Sequence, residues 1–139
     1  MIELDNRTTL TIDISLLQAI SDTLTNKEIE LIITSNSEIQ SINSEYRNIN
    51  KATDVLSFPY EEMPMSPLGS IVIAEDFVKA KANELGHTLS DELALLFIHG
   101  LLHLLRYDHE VDSGEMREKE KDIIELFSLP KSLIVRNQG

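Results

Sequence analysis

Three of the four histidines in the chain lie in one short stretch, His99-Gly100-Leu101-Leu102-His103-Leu104-Leu105-Arg106-Tyr107-Asp108-His109. His99 and His103 are four residues apart, so on a helix they project from one face, one turn above the other. Arg106-Tyr107-Asp108 reads as the chain leaving that helix and turning back, which brings His109 toward the same point. Three imidazoles at one point suit a divalent ion of the zinc type. The chain has no cysteine, so disulfides and thiolate ligands are excluded and any ion is held by His, Asp or Glu. Three protein ligands leave a coordination position open, which is the catalytic rather than the structural arrangement of zinc. An ion so placed activates water at neutral pH. Asp108 and Glu110 flank His109. Asp108 is a candidate fourth ligand, acceptor for an imidazole N–H, or general base; Glu110 fits a solvated acid better.

The spacing invites comparison with metalloproteases, whose helix reads His-Glu-x-x-His with the glutamate as base. Here Gly100 follows His99, so that base is missing. A mid-helix glycine costs about 1 kcal/mol relative to alanine, which points to close packing against a neighbouring element.

The elements that must position these residues follow from periodicity and caps. Ile2 to Leu4 reads as a short strand, and Ser15 with Gln18 as the cap of a helix near 14–25. Glu28 to Thr34 is β-branched and reads as a strand. Ser35 with Glu38 caps a second helix near 36–47, with Ile39, Ile42 and Tyr46 on its apolar face. Thr53 to Phe58 is a short strand stopped by Pro59, Tyr60 to Pro67 a loop, and Gly69 to Ala74 a buried strand. Glu75-Asp76 opens a helix that ends at Gly86. Ser90-Asp91-Glu92, or alternatively Thr88 with Asp91, opens the histidine helix, which is apolar nearly all round and therefore buried. Burial disfavours a charged imidazole, and a metal binds the neutral one. Ser113 caps a last helix whose core side carries Met116, Ile123 and Phe127. The order is that of an α+β fold, a small mixed sheet packed with helices, over residues 1–139 as a single domain.

Composition bounds the function. With 42% hydrophobic residues the chain can build a real core. No run is long and apolar enough for a membrane span, and Met1-Ile2-Glu3-Leu4-Asp5 lacks the basic start of a signal peptide, so a soluble, cytoplasmic protein is expected. A net charge of −12 argues against broad, non-specific nucleic-acid binding but leaves room for a local basic cluster.

The stretch HGLLHLLRYDH resembles the signature of the YbeY family of bacterial endoribonucleases, His-Gly-x-Leu-His-Leu-x-Gly-Tyr-Asp-His. Asn43-Ser44-Glu45-Tyr46-Arg47, then Thr53-Asp54-Val55-Leu56-Ser57-Phe58-Pro59, and Leu68-Gly69-Ser70-Ile71 resemble further blocks of that family, so the likeness covers most of the chain from about Glu28 onward. It implies one zinc-like ion per chain, Zn²⁺ or another divalent metal, held by His99, His103 and His109. It implies single-strand-directed, metal-dependent endoribonuclease activity in 16S ribosomal RNA 3′-end maturation and ribosome quality control, with the 16S precursor and small-subunit and assembly proteins as partners. Water or the ribose 2′-OH would attack the phosphodiester. The family's functional arginine corresponds to Arg47, and a guanidinium suits bidentate contact with a phosphate and its developing charge. The bland reading of Arg47 is a helix-end residue on C-terminal carbonyls. Arg47, Lys51 and Arg106 are the candidate RNA contacts. Arg106 stands where the family has glycine, and either carries positive-φ strain or belongs to a different turn. Ser70 replaces an aspartate, and Asn50 and Ala52 replace Asp and Pro. Two competing functions remain: a metal-dependent hydrolase of another substrate such as a peptide, and a non-catalytic ribosome-assembly factor with a structural metal.

Overall fold

Apolar residues at every second position of IELIIT, Ile29, Leu31 and Ile33, give a strand one fully buried face. The computed structural model, which describes residues 1–61, 63, 65–107 and 114–129, forms that strand as β2 (Ile29–Thr34), with Ile29, Leu31 and Ile33 buried together. It pairs in parallel with β1 (Ile2–Asn6) on one side and with β4 (Gly69–Ala74) on the other. β3 (Val55–Pro59) pairs antiparallel with β4 and closes the sheet in the order β1-β2-β4-β3. β4 is buried at every position because helices cover both faces of the sheet there. The fold is α+β with a mixed four-stranded sheet.

The α1 helix (Ile14–Asp22) and α4 (Leu89–Leu104) share the larger core with Leu31, Ile33, Ile71 and Ile73. The opposite face holds a smaller cluster in which Ile39 of α2 (Asn36–Arg47) meets Leu56, Val72 and Ala74. The α3 helix (Glu75–Leu85) ends at Gly86, which adopts the left-handed conformation expected of it (φ 71°). The α5 helix (Glu115–Leu126) packs Met116, Ile123 and Ile124 into the larger core beside α4.

One helix cap differs from the sequence reading, and another decides between the two alternatives it left open. The cap of α1 is Asp13, whose carboxylate accepts the Leu16 N–H, and not Ser15. The cap of α4 is Thr88, whose hydroxyl accepts the Asp91 N–H, so the helix begins at Leu89 ahead of Ser90. In both cases the capping side chain lies two residues upstream of the serine. Ser35 caps α2 as expected, but Glu38 turns to Thr34 and Arg7 and does not complete the reciprocal box. Ser113, expected to cap α5, lies outside the described residues; Gly114 occupies the N-cap position.

The packing of α4 against the sheet depends on Gly100. A Cβ there would lie 2.9 Å from Ile71 Cγ2, 3.2 Å from Ser57 Oγ and 3.3 Å from Val55 Cγ2. The missing side chain lets β3 and β4 sit directly on the helix one residue after His99.

Candidate active site

α4 carries His99 and His103 on one face, and their rings meet edge to face with centroids 4.7 Å apart. The two Nε2 atoms are 3.2 Å apart. Each Nδ1 has its own acceptor. His99 Nδ1 lies 2.9 Å from Glu120 Oε1 on α5, and His103 Nδ1 lies 3.1 Å from the Tyr107 carbonyl. An Nδ1 facing a carboxylate or a carbonyl carries the proton, which assigns the tautomer and leaves the lone pair on Nε2. Two lone pairs then face each other at 3.2 Å. That is close to the separation of about 3.3 Å between two nitrogens on a tetrahedral zinc with Zn–N bonds of about 2.05 Å. The donor set present therefore fits an ion of that type.

The Tyr107 carbonyl reaches His103 because of how α4 ends. The Tyr107 N–H donates to the Leu102 carbonyl and the Arg106 N–H to the His103 carbonyl, each at 3.0 Å. This is the Schellman pattern, and it needs a left-handed residue between the two. That residue is Arg106, at φ 76°. Of the two alternatives the sequence left open, the chain makes the positive-φ turn and Arg106 carries the strain.

Across from the histidines stands β3, the antiparallel edge strand. A cleft of about 520 Å³ lies between, lined by both histidines, Arg47, Thr53 to Ser57, Pro59, Arg106 and Tyr107. Arg47, the last residue of α2, packs its guanidinium over the Phe58 ring, 5.4 Å from the centroid. Its Nη2 donates to the Ser57 carbonyl at 2.8 Å. It reaches the edge strand and the cleft rather than the carbonyls of its own helix end. Ser57 turns its hydroxyl to the Gly100 carbonyl at 2.9 Å, joining the strand to α4.

Of the residues singled out from sequence, His99, His103, Arg47 and Arg106 come together at this cleft. Lys51 is exposed on the loop before β3 and is not among the lining residues. His109 and Asp108 lie outside the described residues, and among the described residues no group of three or more His, Asp or Glu is arranged to hold a metal. Tyr107 packs against the core and also lines the cleft. Ser70 lies away from the cleft. Its hydroxyl donates to Glu30 Oε2 at 2.9 Å, and Glu30 faces it in register on β2, so a carboxylate reaches this spot from the next strand. Tyr60 donates to the same oxygen at 2.6 Å, and that bond holds its hydroxyl above the usual phenol range.

Glu120 was not anticipated. In EMREKEKDIIEL it looks like one more solvated acid. The signal lies in its spacing: with Met116, Ile123 and Ile124 it shares the buried stripe of α5, where a carboxylate needs a partner.

The class defined by these features is an α+β protein with a paired-imidazole cleft under an antiparallel edge strand. A family model described as Endoribonuclease YbeY matches residues 3–128. The chain is 66% identical over 139 residues to the Endoribonuclease YbeY of Sulfurimonas denitrificans, covering 100% of both chains. It is 52% identical to that of Helicobacter pylori over 139 residues, covering 99% of each. The solution structure of TM1509 from Thermotoga maritima superposes with a TM-score of 0.62 at 29% identity, over 91% of this chain and 89% of that one. The chain belongs to the endoribonuclease YbeY family.

Proposed function

We propose that this protein is a metal-dependent endoribonuclease that cleaves single-stranded RNA during 16S ribosomal RNA 3′-end maturation and ribosome quality control, in the cytoplasm. The observation that carries the reading is the placement of Arg47 in the same cleft as the Nε2 atoms of His99 and His103. In this reading His99, His103 and His109 hold one zinc-type divalent ion, with His109 assigned by the family resemblance. Held there, such an ion would supply Lewis acidity and activate a water for attack. Arg47 uses one N–H on Ser57 and turns the rest of its guanidinium to the scissile phosphate. Anchored on both Phe58 and Ser57, it is held in place before substrate arrives, so its charge meets the charge that develops as the phosphodiester is attacked by water or the 2′-OH. Arg106 on the rim adds a second positive contact.

The structure of the edge strand weighs against a peptide substrate. Extended peptides bind by adding a strand to an exposed edge. The Asp54 carbonyl and the Tyr60 N–H bond inward to β4 and its approach, so by antiparallel alternation Val55, Ser57 and Pro59 face outward. The Val55 N–H is taken by Asp54 Oδ1 at 2.8 Å, the Ser57 carbonyl by Arg47, and Pro59 has no N–H to offer. Three of the outward backbone positions are thereby unavailable to an added peptide strand.

The test is cleavage of precursor 16S rRNA by zinc-loaded wild type, His103→Ala and Arg47→Ala. Loss of cleavage in both variants is expected. Wild-type rates in both would refute the proposal.

A further inference from the structure

The two imidazoles of the pair are supported unequally. His103 Nδ1 faces a neutral acceptor, the Tyr107 carbonyl, at 3.1 Å. His99 Nδ1 faces a carboxylate, Glu120 Oε1, at 2.9 Å. The Glu120 side chain is only 2% exposed and stands on the core stripe of α5 between Met116 and Ile123. A carboxylate is expensive to keep in such a place, and an apolar side chain would serve packing better. We infer that Glu120 is a positioning residue for metal uptake: it fixes the Nδ1–H tautomer of His99, aims its Nε2 at the cleft, and raises the electron density on that nitrogen.

The argument is geometric. Rotation of the His99 ring about its χ2 would exchange the carbon and nitrogen edges and take Nε2 away from His103. The bond to Glu120 opposes that rotation from the far side of the ring. A carboxylate accepting the second imidazole N–H also makes the ring a stronger donor to a cation than a neutral carbonyl does. Because Glu120 belongs to α5 and His99 to α4, the same bond ties readiness of the site to the docking of α5 on α4. Helix α5 then belongs to the metal-binding apparatus, although Glu120 is not among the residues lining the cleft.

The inference rests on the reading of His99 as a metal ligand, so its test measures metal binding without RNA. Apo protein is titrated with Zn²⁺ against a chromophoric chelator, and with Co²⁺ to record the absorption bands of the bound ion. Wild type, His103→Ala, Glu120→Gln and Glu120→Ala are compared, with thermal unfolding of each apo protein alongside. Glu120→Gln keeps an acceptor but loses the charge, and about tenfold weaker zinc binding is expected; Glu120→Ala loses both, with about a hundredfold loss. Altered Co²⁺ bands in Glu120→Ala, recorded well below its apo unfolding midpoint where the protein is folded, separate positioning from general destabilisation. If both Glu120 variants bind zinc within twofold of wild type while His103→Ala does not, Glu120 has no positioning role and the His-ligand reading stands. If wild type binds no better than His103→Ala, that reading falls and this inference falls with it.

Discussion

The Ser57 hydroxyl donates a buried 2.9 Å hydrogen bond to the Gly100 carbonyl. This bond joins the edge strand that carries one wall of the cleft to the helix that carries the histidines. It forms at the position where a His-Glu-x-x-His helix would hold its catalytic glutamate. A side chain there must displace a neighbour: the contacts a Cβ would make with Ile71, Ser57 and Val55 lie between 2.9 and 3.3 Å. The missing base is therefore a consequence of how closely strand and helix approach.

Gly100→Ala tests that approach. Alanine gains about 1 kcal/mol of helix propensity over glycine. Against this, Ile71 is fully buried and cannot move aside, and overpacking a tight core costs about 1–3 kcal/mol. The expected net effect is a loss on the order of 1 kcal/mol, or a fall of about 4 °C in melting temperature for a domain of this size. RNA cleavage should fall further than stability does, since the substitution parts β3 from α4 and moves Arg47 relative to the histidines. A melting temperature equal to or above that of wild type would show that the contact is slack.

Acid sensitivity is expected at the clasp between the end of β1 and the start of α2. Glu38 accepts from Thr34 Oγ1 at 2.6 Å and pairs with Arg7, and these contacts hold its carboxyl below the usual range, the Thr34 bond most of all. A depressed carboxyl pKa stabilises the fold above the unfolded-state value, and the contribution is lost as pH falls through the folded-state value. Both side chains of the ion pair are substantially exposed, so the effect is small and screened by salt. Glu38→Gln should lower the urea midpoint slightly near neutral pH, and the difference should vanish as pH falls through the depressed folded-state value, where wild type loses the same contribution. A constant difference between the two proteins across that range would contradict this account.

Arg106 separates strain from charge. At φ 76° a side chain other than glycine costs about 1–2 kcal/mol. Arg106→Gly should therefore raise stability by about 1 kcal/mol, with an unchanged denaturant slope. Arg106→Ala keeps the Cβ and the strain, so its stability should stay near wild type. If the rim charge contacts RNA, both variants weaken RNA binding to the same degree. A Glu120-like effect on zinc affinity is not expected in either, because the turn that aims the Tyr107 carbonyl is preserved.

Much of this architecture can be read from the chain because it is local. The β-branched content of β2, the mostly apolar run of β4, the Ser35 cap and Gly86 each act within a few residues, and each appears where the pattern places it. The cap of α4 was open between Thr88 and Ser90, and the Thr88 bond to the Asp91 N–H decides it. The long-range relations were not legible. Nothing in the sequence says that Arg47 bonds an edge-strand carbonyl, or that Glu30 reaches Ser70 from the next strand, since both depend on register across the sheet. Glu120 was hidden for a different reason: its neighbours are lysines and glutamates, and only its phase with Met116 and Ile123 marks it.

The acidity of the chain, with a net charge of −12, makes a final prediction about how RNA is held. Among the described residues, the positive side chains lining the cleft are Arg47 and Arg106. Two phosphate contacts on a single strand give a log–log salt slope of about −1.4, shallow beside that of a basic RNA-binding protein. Naked single-stranded RNA should bind weakly, and the remaining affinity on a ribosomal particle would come from basic ribosomal proteins meeting the acidic surface. Arg47→Ala and Arg106→Ala should each reduce the slope by about 0.7, while Lys51→Ala, outside the cleft lining, leaves it unchanged. Arg47→Lys keeps the charge but cannot hold the Ser57 carbonyl and a phosphate in one planar fork. Its salt slope should match wild type while cleavage falls by about a hundredfold, the scale of losing one aligned donor to the transition state. Equal cleavage by Arg47→Lys would mean that charge alone suffices at this position and that the bond to Ser57 has no part in the reaction.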